Sequence, residues 1–160
     1  VAVGVARQQQ NQMEEARKAY TQALEADATF INPYLQLALI AAGEKKWDEV
    51  ADTTDRMVRL NPIDFPQAFL MTSIANLNLR RPDVAEKSAR EALKLDPQKR
   101  MPKVQHVLGL ALANKGDYAG AVEHIKAYLE MAPDASDAEV AKKQLTELQQ
   151  LSAQKAAPKP

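Results

Sequence analysis

The sequence predicts an all-α fold, an α-solenoid of antiparallel helix hairpins, from two observations. First, a phrase recurs four times at a spacing of 34 to 36 residues. It consists of a small residue, a small or β-branched residue twelve positions later, then apolar residues four, seven and eight positions further, and in three copies a proline. Second, apolar residues within each copy recur at intervals of three and four, as in a helix with one buried face. A fixed period in this range is typical of solenoids.

The twelve-residue gap between the two small residues is the same in every copy. Small side chains are needed where two helices cross closely, because larger ones would push the backbones apart. Each pair therefore marks the crossing point of one predicted hairpin. The four pairs are Gly4 with Ala16, Ala38 with Val50, Ser73 with Ala85, and Gly109 with Ala121.

Turn residues and prolines divide the chain into these hairpins. The segment 114–117, Asn-Lys-Gly-Asp, separates two periodic runs of about a dozen residues in the fourth copy. Pro62, Pro97 and Pro133 follow the last apolar position of a second helix, where proline stops the helix. The variation in period falls between hairpins. We expect repeats at about 1–30, 31–65, 66–101 and 102–134.

After Pro133 the chain changes character. An amphipathic helix is expected at about 135–151, with Ser136 or Asp134 as its N-cap. One such helix would cover the open end of a solenoid, and with it the repeats form a single domain over 1–151. Residues 152–160 are rich in Ala, Lys and Pro and lose the periodicity, which predicts a disordered tail.

Composition excludes several classes of function. Lys+Arg and Asp+Glu both number 21, so the basic excess of a nucleic-acid binder is absent. No apolar run approaches the 18 or so residues of a membrane span. There is no cysteine, which excludes disulfides and leaves the redox compartment open. The chain opens at Val1 within a periodic segment, which is typical of a fragment or processed product.

No arrangement of residues points to catalysis or to a cofactor. The two histidines, His106 and His124, have no Asp or Glu at ligand spacing, so no metal site is expected. The five glycines are scattered rather than gathered in a phosphate-binding loop, and no G-x-S-x-G motif occurs. We therefore expect a chain that is not an enzyme.

The residues resemble the tetratricopeptide repeat family over about 1–134. The fourth copy matches its pattern best, with Leu108, Gly109, Gly116, Tyr118, Ala121, Tyr128 and Pro133. The resemblance implies a right-handed superhelix whose first helices line a concave groove and whose second helices form the convex side. Groups of three or more such repeats commonly bind peptides or extended protein segments. The phrase at 92–97 resembles bacterial members, which would place a soluble chain in the cytoplasm or periplasm.

The resemblance also nominates groove positions by register. A terminal-carboxylate clamp of Lys and Asn, well known in the family, is absent, because Val5, Leu35 and Leu70 are among the matching residues. Such a groove suits an apolar extended or helical ligand. The partner-binding positions are Asn32, Leu35, Leu39, Leu70, Ile74, Leu77, Lys103, His106, Leu110 and Asn114, extended by Val5 and Gln8.

Other interpretations stay open. Leu39, Ile74 and Leu110 could instead pack against neighbouring first helices. A structural role is the main alternative function, with self-association through an unmatched N-terminal end around Val1, Val3 and Val5. The chain could also be a docking arm of a larger multidomain protein.

Overall fold

The computed structural model describes residues 12–156, and the expectations for Val1, Val3, Val5, Gln8 and residues 157–160 lie outside them. Within that range the chain forms helices and turns without a strand, so the all-α prediction is confirmed. The helices are α1 (Met13–Ala26), α2 (Ile31–Gly43), α3 (Trp47–Leu60), α4 (Pro66–Asn78), α5 (Pro82–Leu95), α6 (Lys103–Asn114), α7 (Tyr118–Met131) and α8 (Ala138–Ala156).

The helices pack as hairpins in two rows. α2 packs on α3, α4 on α5 and α6 on α7, and α1 is the second helix of the first predicted repeat. First helices also contact each other, since α2 contacts α4 and α4 contacts α6. Second helices approach one another less closely within residues 12–156, although Arg17 of α1 forms an ion pair with Glu49 of α3. We call α2, α4 and α6 the inner row and α1, α3, α5 and α7 the outer row.

In the third and fourth hairpins the small residues lie at the helix crossings, as the sequence predicts, whereas Gly4 of the first pair lies outside the described residues. A Cβ atom on Gly109 would lie 2.7 Å from Ile125 Cγ1 and 3.1 Å from the Ala121 carbonyl oxygen. In the third hairpin the Ser73 hydroxyl donates a hydrogen bond to the Ala85 carbonyl oxygen at 2.7 Å. A buried hydroxyl is thus satisfied at the position where the fourth hairpin has no side chain.

The three turns inside hairpins have one geometry. Each is three residues long, and its middle residue, seven positions after the small residue, has a positive φ: Lys45 (58°), Arg80 (58°) and Gly116 (78°). The next residue donates its N–H to the carbonyl five positions earlier, at 2.8–2.9 Å in all three turns. This is the Schellman arrangement that ends many helices. The connectors between hairpins vary instead, with four, five and seven residues at 27–30, 61–65 and 96–102.

The core lies between the two rows and is continuous at the C-terminal end. Leu108, Ile125 and Tyr128 of the fourth hairpin are buried together with Ala141 and Leu148 of α8. Smaller clusters, such as that of Tyr34, Met57 and Ala68, occupy the spaces between earlier hairpins. The last helix therefore covers the apolar face of α7, which would otherwise be exposed. None of the helices described is long and apolar enough to cross a membrane.

The limits of α8 differ from those predicted. It begins at Ala138, and Asp137 precedes it in place of Ser136 or Asp134, because the Asp137 carboxylate is bound by side chains of the fourth hairpin. The helix continues to Ala156, so the expectation of disorder is wrong for 152–156. Lys155 connects this extension to the fourth hairpin, since its Nζ donates to the Gly116 carbonyl oxygen at 2.7 Å and lies 5.6 Å from the Tyr118 ring centre.

Candidate functional site

The inner row carries a hollow between α4 and α6, with a volume of about 340 Å³. We call it the inner hollow. Its walls are mainly aliphatic, and two asparagines lie at the C-terminal ends of the two helices. The lining residues are Ile74, Leu77, Asn78, Lys103, Val107, Leu110, Ala113 and Asn114.

Five of the ten predicted groove residues meet at this hollow: Ile74, Leu77, Lys103, Leu110 and Asn114. They come from α4 and α6, which lie side by side in the inner row, so the register places residues of different repeats on one surface. Asn114 is exposed, and the aliphatic side chains are partly buried, leaving them accessible to a ligand.

The other predicted positions lie elsewhere. Leu39 is 46% exposed and lines a separate hollow near Met13 and Gly43. Leu35 and Leu70 are partly buried against two different core clusters, so both contribute to the core. Asn32 is exposed in the first turn of α2.

His106 is the exception among the nominated residues, because it is not on an open surface. It is only 3% exposed, and α8 and the segment before it cover it. Its Nε2 lies 2.7 Å from Gln144 Oε1 of α8, and its ring stacks on Tyr128. The expectation that His106 faces a ligand is therefore wrong, because the terminal helix covers this position in the fourth repeat.

His106 belongs to a polar joint between the fourth hairpin and α8, formed by Lys103, His106, Tyr128, Asp137 and Gln144. Asp137 accepts hydrogen bonds from the Lys103 ammonium and from the Tyr128 hydroxyl. Lys103 Nζ is also 3.0 Å from His106 Nδ1. Because an ammonium can only donate, Nδ1 accepts this bond and the neutral imidazole has its proton on Nε2, facing Gln144.

The joint shifts the pKa values of its members. The Lys103 and Tyr128 hydrogen bonds lower the pKa of Asp137 from 3.8 to about 2. Burial, followed by the Asp137 contact, raises the pKa of Tyr128 to about 12. Burial is also the main cause that lowers the pKa of His106 below 6.5, and the Lys103 charge adds to it. At neutral pH the joint therefore consists of one Lys–Asp ion pair with a neutral imidazole beside it.

The inner hollow is nearly free of charge. Lys103 is its one charged lining residue, and Asp137 compensates it. A larger hollow of about 580 Å³ between α1 and α3 of the outer row is different, since Glu25, Glu49, Asp52 and Arg56 line it. In a chain of which 26% of residues are charged, the inner hollow is a distinct apolar surface.

Sequence reasoning missed several residues of this region. Asn78 could have been found, because it lies five residues after Ser73, as Asn114 lies five residues after Gly109. Asp137 and Gln144 gave no such signal, since α8 has no paired helix and therefore no small residue to set its register. Among residues 12–156, no group of three or more His, Cys, Asp or Glu side chains could hold a metal ion.

Comparison with known proteins gives matches at the level of family and fold. Two tetratricopeptide repeat family models match residues 1–30 and 70–136, together more than half of the chain. No curated protein is significantly similar to it.

Among solved structures, the chain is similar to MamA, with 17% identity, a TM-score of 0.77, and coverage of 96% of each chain. It is similar to YrrB, described as a tetratricopeptide repeat protein with an unusual peptide-binding site, with 22% identity, a TM-score of 0.72 and coverage of 91% of this chain and 76% of that one. The Arabidopsis OM64 tetratricopeptide repeat domain is 20% identical, with a TM-score of 0.66 and coverage of 73% and 94%.

Identities this low show the fold alone, and that fold is a helical repeat. Repeats of this kind generally act as protein–protein interaction scaffolds without catalysis of their own. The matching repeat models, the twelve-residue register and the two rows of helices agree, and the chain belongs to the tetratricopeptide repeat family.

Proposed function

We propose that the chain is a non-catalytic scaffold that binds an uncharged, apolar segment of a partner protein on its inner row. The observation that carries this proposal is the inner hollow. Ile74, Leu77 and Leu110 offer aliphatic surface, and the amides of Asn78 and Asn114 lie beside them. Apolar walls with a few polar groups are typical of binding sites, because burial provides affinity and the polar groups fix orientation.

The polar groups suit the backbone of a bound segment. Asn114 carries an amide that can donate and accept, as an extended or helix-terminal peptide backbone requires. Asn78 uses its Nδ2 to donate to the Ile74 carbonyl oxygen at 2.8 Å, which leaves its Oδ1 to accept from a ligand N–H. The apolar side chains of the segment would fill the space between α4 and α6, as in other complexes where a helix or strand lies in a groove.

Charge argues against an acidic or basic ligand at neutral pH. Lys103 is already paired with Asp137, so an acidic segment would gain little there. A basic segment would meet no carboxylate among the residues that line the hollow. The described peptide-binding site of YrrB supports the same class of ligand for this chain, a peptide segment.

The experiment is a selection from a random peptide library, followed by affinity measurement by fluorescence anisotropy. Asn114→Lys places a charge at the hollow, and Leu39→Lys places one elsewhere on the inner row. Val84→Lys is the control, because Val84 is 45% exposed on the outer row and Leu39 is 46% exposed. We expect Asn114→Lys to weaken binding about tenfold or more, since a charge would be desolvated in the complex.

Val84→Lys should bind like the wild type. Circular dichroism and melting would show that all three variants are folded. Equal losses in Val84→Lys and Asn114→Lys would show that the added charge weakens binding wherever it stands, and would contradict a site on the inner row. Light scattering over a concentration series would separate ligand binding from self-association of the chain.

A further inference from the structure

Lys103 belongs to two sites at once, and this is the starting observation. Its side chain lines the inner hollow, and its ammonium binds Asp137 in the polar joint. The same Asp137 oxygen, Oδ2, also lies 3.3 Å from His106 Nδ1. Two nitrogen donors can therefore compete for one carboxylate oxygen, depending on whether Nδ1 carries a proton.

The neutral and the protonated imidazole of His106 form different hydrogen bonds. Neutral His106 accepts the Lys103 hydrogen bond at Nδ1, 3.0 Å away. A proton on Nδ1 removes this acceptor. The Lys103 ammonium and the imidazolium would then be two positively charged donors 3.0 Å apart, and they repel each other. The same proton gives Nδ1 a charge-assisted hydrogen bond to offer, and Asp137 is the carboxylate within reach.

Lys103 is the partner free to move. The His106 side chain is 4% exposed, stacked on Tyr128 and bonded to Gln144, so its ring is held on both sides. The Lys103 side chain is 42% exposed and has a flexible four-carbon stem. Asp137 is fixed by the Tyr128 hydroxyl, which binds its other oxygen, Oδ1.

We propose that, when His106 is protonated, the Asp137 carboxylate exchanges its ion pair with Lys103 for one with the imidazolium. The Lys103 ammonium is then left as a free positive charge at the inner hollow. The proton comes from solvent and binds Nδ1, while the proton on Nε2 keeps its bond to Gln144. Asp137 stays ionised throughout. The charged and titratable groups facing His106 are Lys103 of α6, Tyr128 of α7 and Asp137 before α8.

The exchange changes which ligand the hollow favours. With Asp137 bound to Lys103 the hollow is neutral, and with Asp137 bound to His106 it presents one unpaired cation. A segment that carries a carboxylate among its apolar residues is the ligand that gains from this. The choice of ligand rests on the proposed function, whereas the exchange itself is a property of the chain and needs no ligand.

The test is an NMR titration of the wild-type protein without ligand, from about pH 8 to about pH 4.5, a range in which histidine titrates and Asp137 remains ionised. It follows the His106 ring, Lys103 ¹⁵Nζ and Asp137 ¹³Cγ. We expect all three signals to change with one common midpoint. Hydrogen exchange of α8 amides should show no loss of protection beyond that of α6 and α7 amides across that midpoint, because Asp137 keeps the joint closed.

Two matched variants provide the control. His106→Gln retains groups that can bond Lys103 and Gln144 but cannot titrate, so the Lys103 signal should become independent of pH. His124→Gln removes the other histidine, whose Nδ1 lies 2.6 Å from Gln105 Oε1, and should leave the Lys103 titration intact.

The proposal is overturned if Lys103 and Asp137 do not change with the His106 midpoint, or if His106 does not titrate in this range. It is also overturned if α8 loses more protection than α6 and α7 at that midpoint, since the joint would then open instead of exchanging partners. Failure of peptide binding in the library experiment would refute the proposed function and leave this titration unaffected.

Discussion

The imidazole of His106 lies almost parallel to the phenol ring of Tyr128, with ring centroids 4.7 Å apart and 10° between the planes. This stack joins α6 to α7, and the Tyr128 hydroxyl extends the connection to Asp137 at the start of α8. A single aromatic contact thus links both helices of the fourth hairpin to the terminal helix. Burial of the ring favours its neutral form, and the dependence of stability on pH follows from this.

We predict that the free energy of unfolding decreases as the pH falls below about 6.5. Burial lowers the pKa of His106 and of His124 in the folded chain, so the unfolded chain binds more protons. The stabilisation is present above the unfolded pKa and is lost as the pH falls through the folded pKa. Each histidine can contribute a slope of at most about 1.4 kcal/mol per pH unit.

Urea unfolding at several pH values measures this slope. His106→Gln and His124→Gln should each reduce it, and the double variant should have almost none above pH 5. The contribution of Asp137 lies in a separate window, from 3.8 down to about 2, where its protonation destabilises the fold. A slope that survives in the double variant would contradict the assignment to these two residues.

Gly109→Ala should destabilise the chain by about 1–3 kcal/mol, because the new methyl group overpacks the hairpin crossing. Its Cβ would lie 2.7 Å from Ile125 Cγ1, too close for either atom to remain in place. Combining it with Ile125→Ala removes the clashing atom. The double variant should then be more stable than the sum of the two single effects by about 0.5–3 kcal/mol, as measured by denaturant unfolding.

Gly43→Ala is the matched control, because a Cβ there meets nothing within 4 Å. It should be neutral or stabilise the chain by up to about 1 kcal/mol through helix propensity. Equal destabilisation by Gly43→Ala and Gly109→Ala would show that the crossing is not the cause.

Arg80→Gly should stabilise the chain by about 0.5–1 kcal/mol. Arg80 has a φ of 58° in the turn of the third hairpin. A left-handed backbone conformation costs a residue with a Cβ atom about 1–2 kcal/mol, and glycine avoids this cost. Glycine loses more conformational entropy on folding, which offsets part of the gain. The reverse change, Gly116→Ala, should destabilise by about 1 kcal/mol, because Gly116 has a φ of 78° in the equivalent turn. Thermal unfolding of both variants checks the sign, and a lower melting temperature for Arg80→Gly would contradict it.

Binding on the inner row should depend little on salt at about pH 7.5. Since Asp137 compensates the single charge of the inner hollow, few counterions are displaced by an apolar segment. We expect the Kd of a selected peptide to change less than about twofold between 0.05 and 0.5 M NaCl. A tenfold weakening would instead indicate binding to a charged surface, such as the larger hollow between α1 and α3, which Glu25 and Asp52 line.

The sequence predicts the fold because its signals are local and repeated. The two small residues, Gly109 and Ala121 in the fourth copy, are twelve residues apart in every copy of the phrase, which fixes where two helices cross. That register also brings Ile74 and Leu110 to one hollow, although they come from different repeats. The register does not extend to α8, because this helix is not a copy of the repeat and its contacts with the fourth hairpin have no counterpart in the other hairpins. The sequence pattern therefore does not identify Asp137 and Gln144, and it places His106 on an open surface, whereas α8 covers it.

The three-residue turns all share one hydrogen-bonding pattern, while the connectors between hairpins vary from four to seven residues. A hairpin is therefore a module whose interior does not depend on its neighbours' connectors. Gene duplication or protein engineering could add a copy of the third hairpin ahead of α6, with α8 kept at the end. Such an array would gain a further aliphatic wall without any new interior having to evolve, and the length of the recognised segment would grow with it.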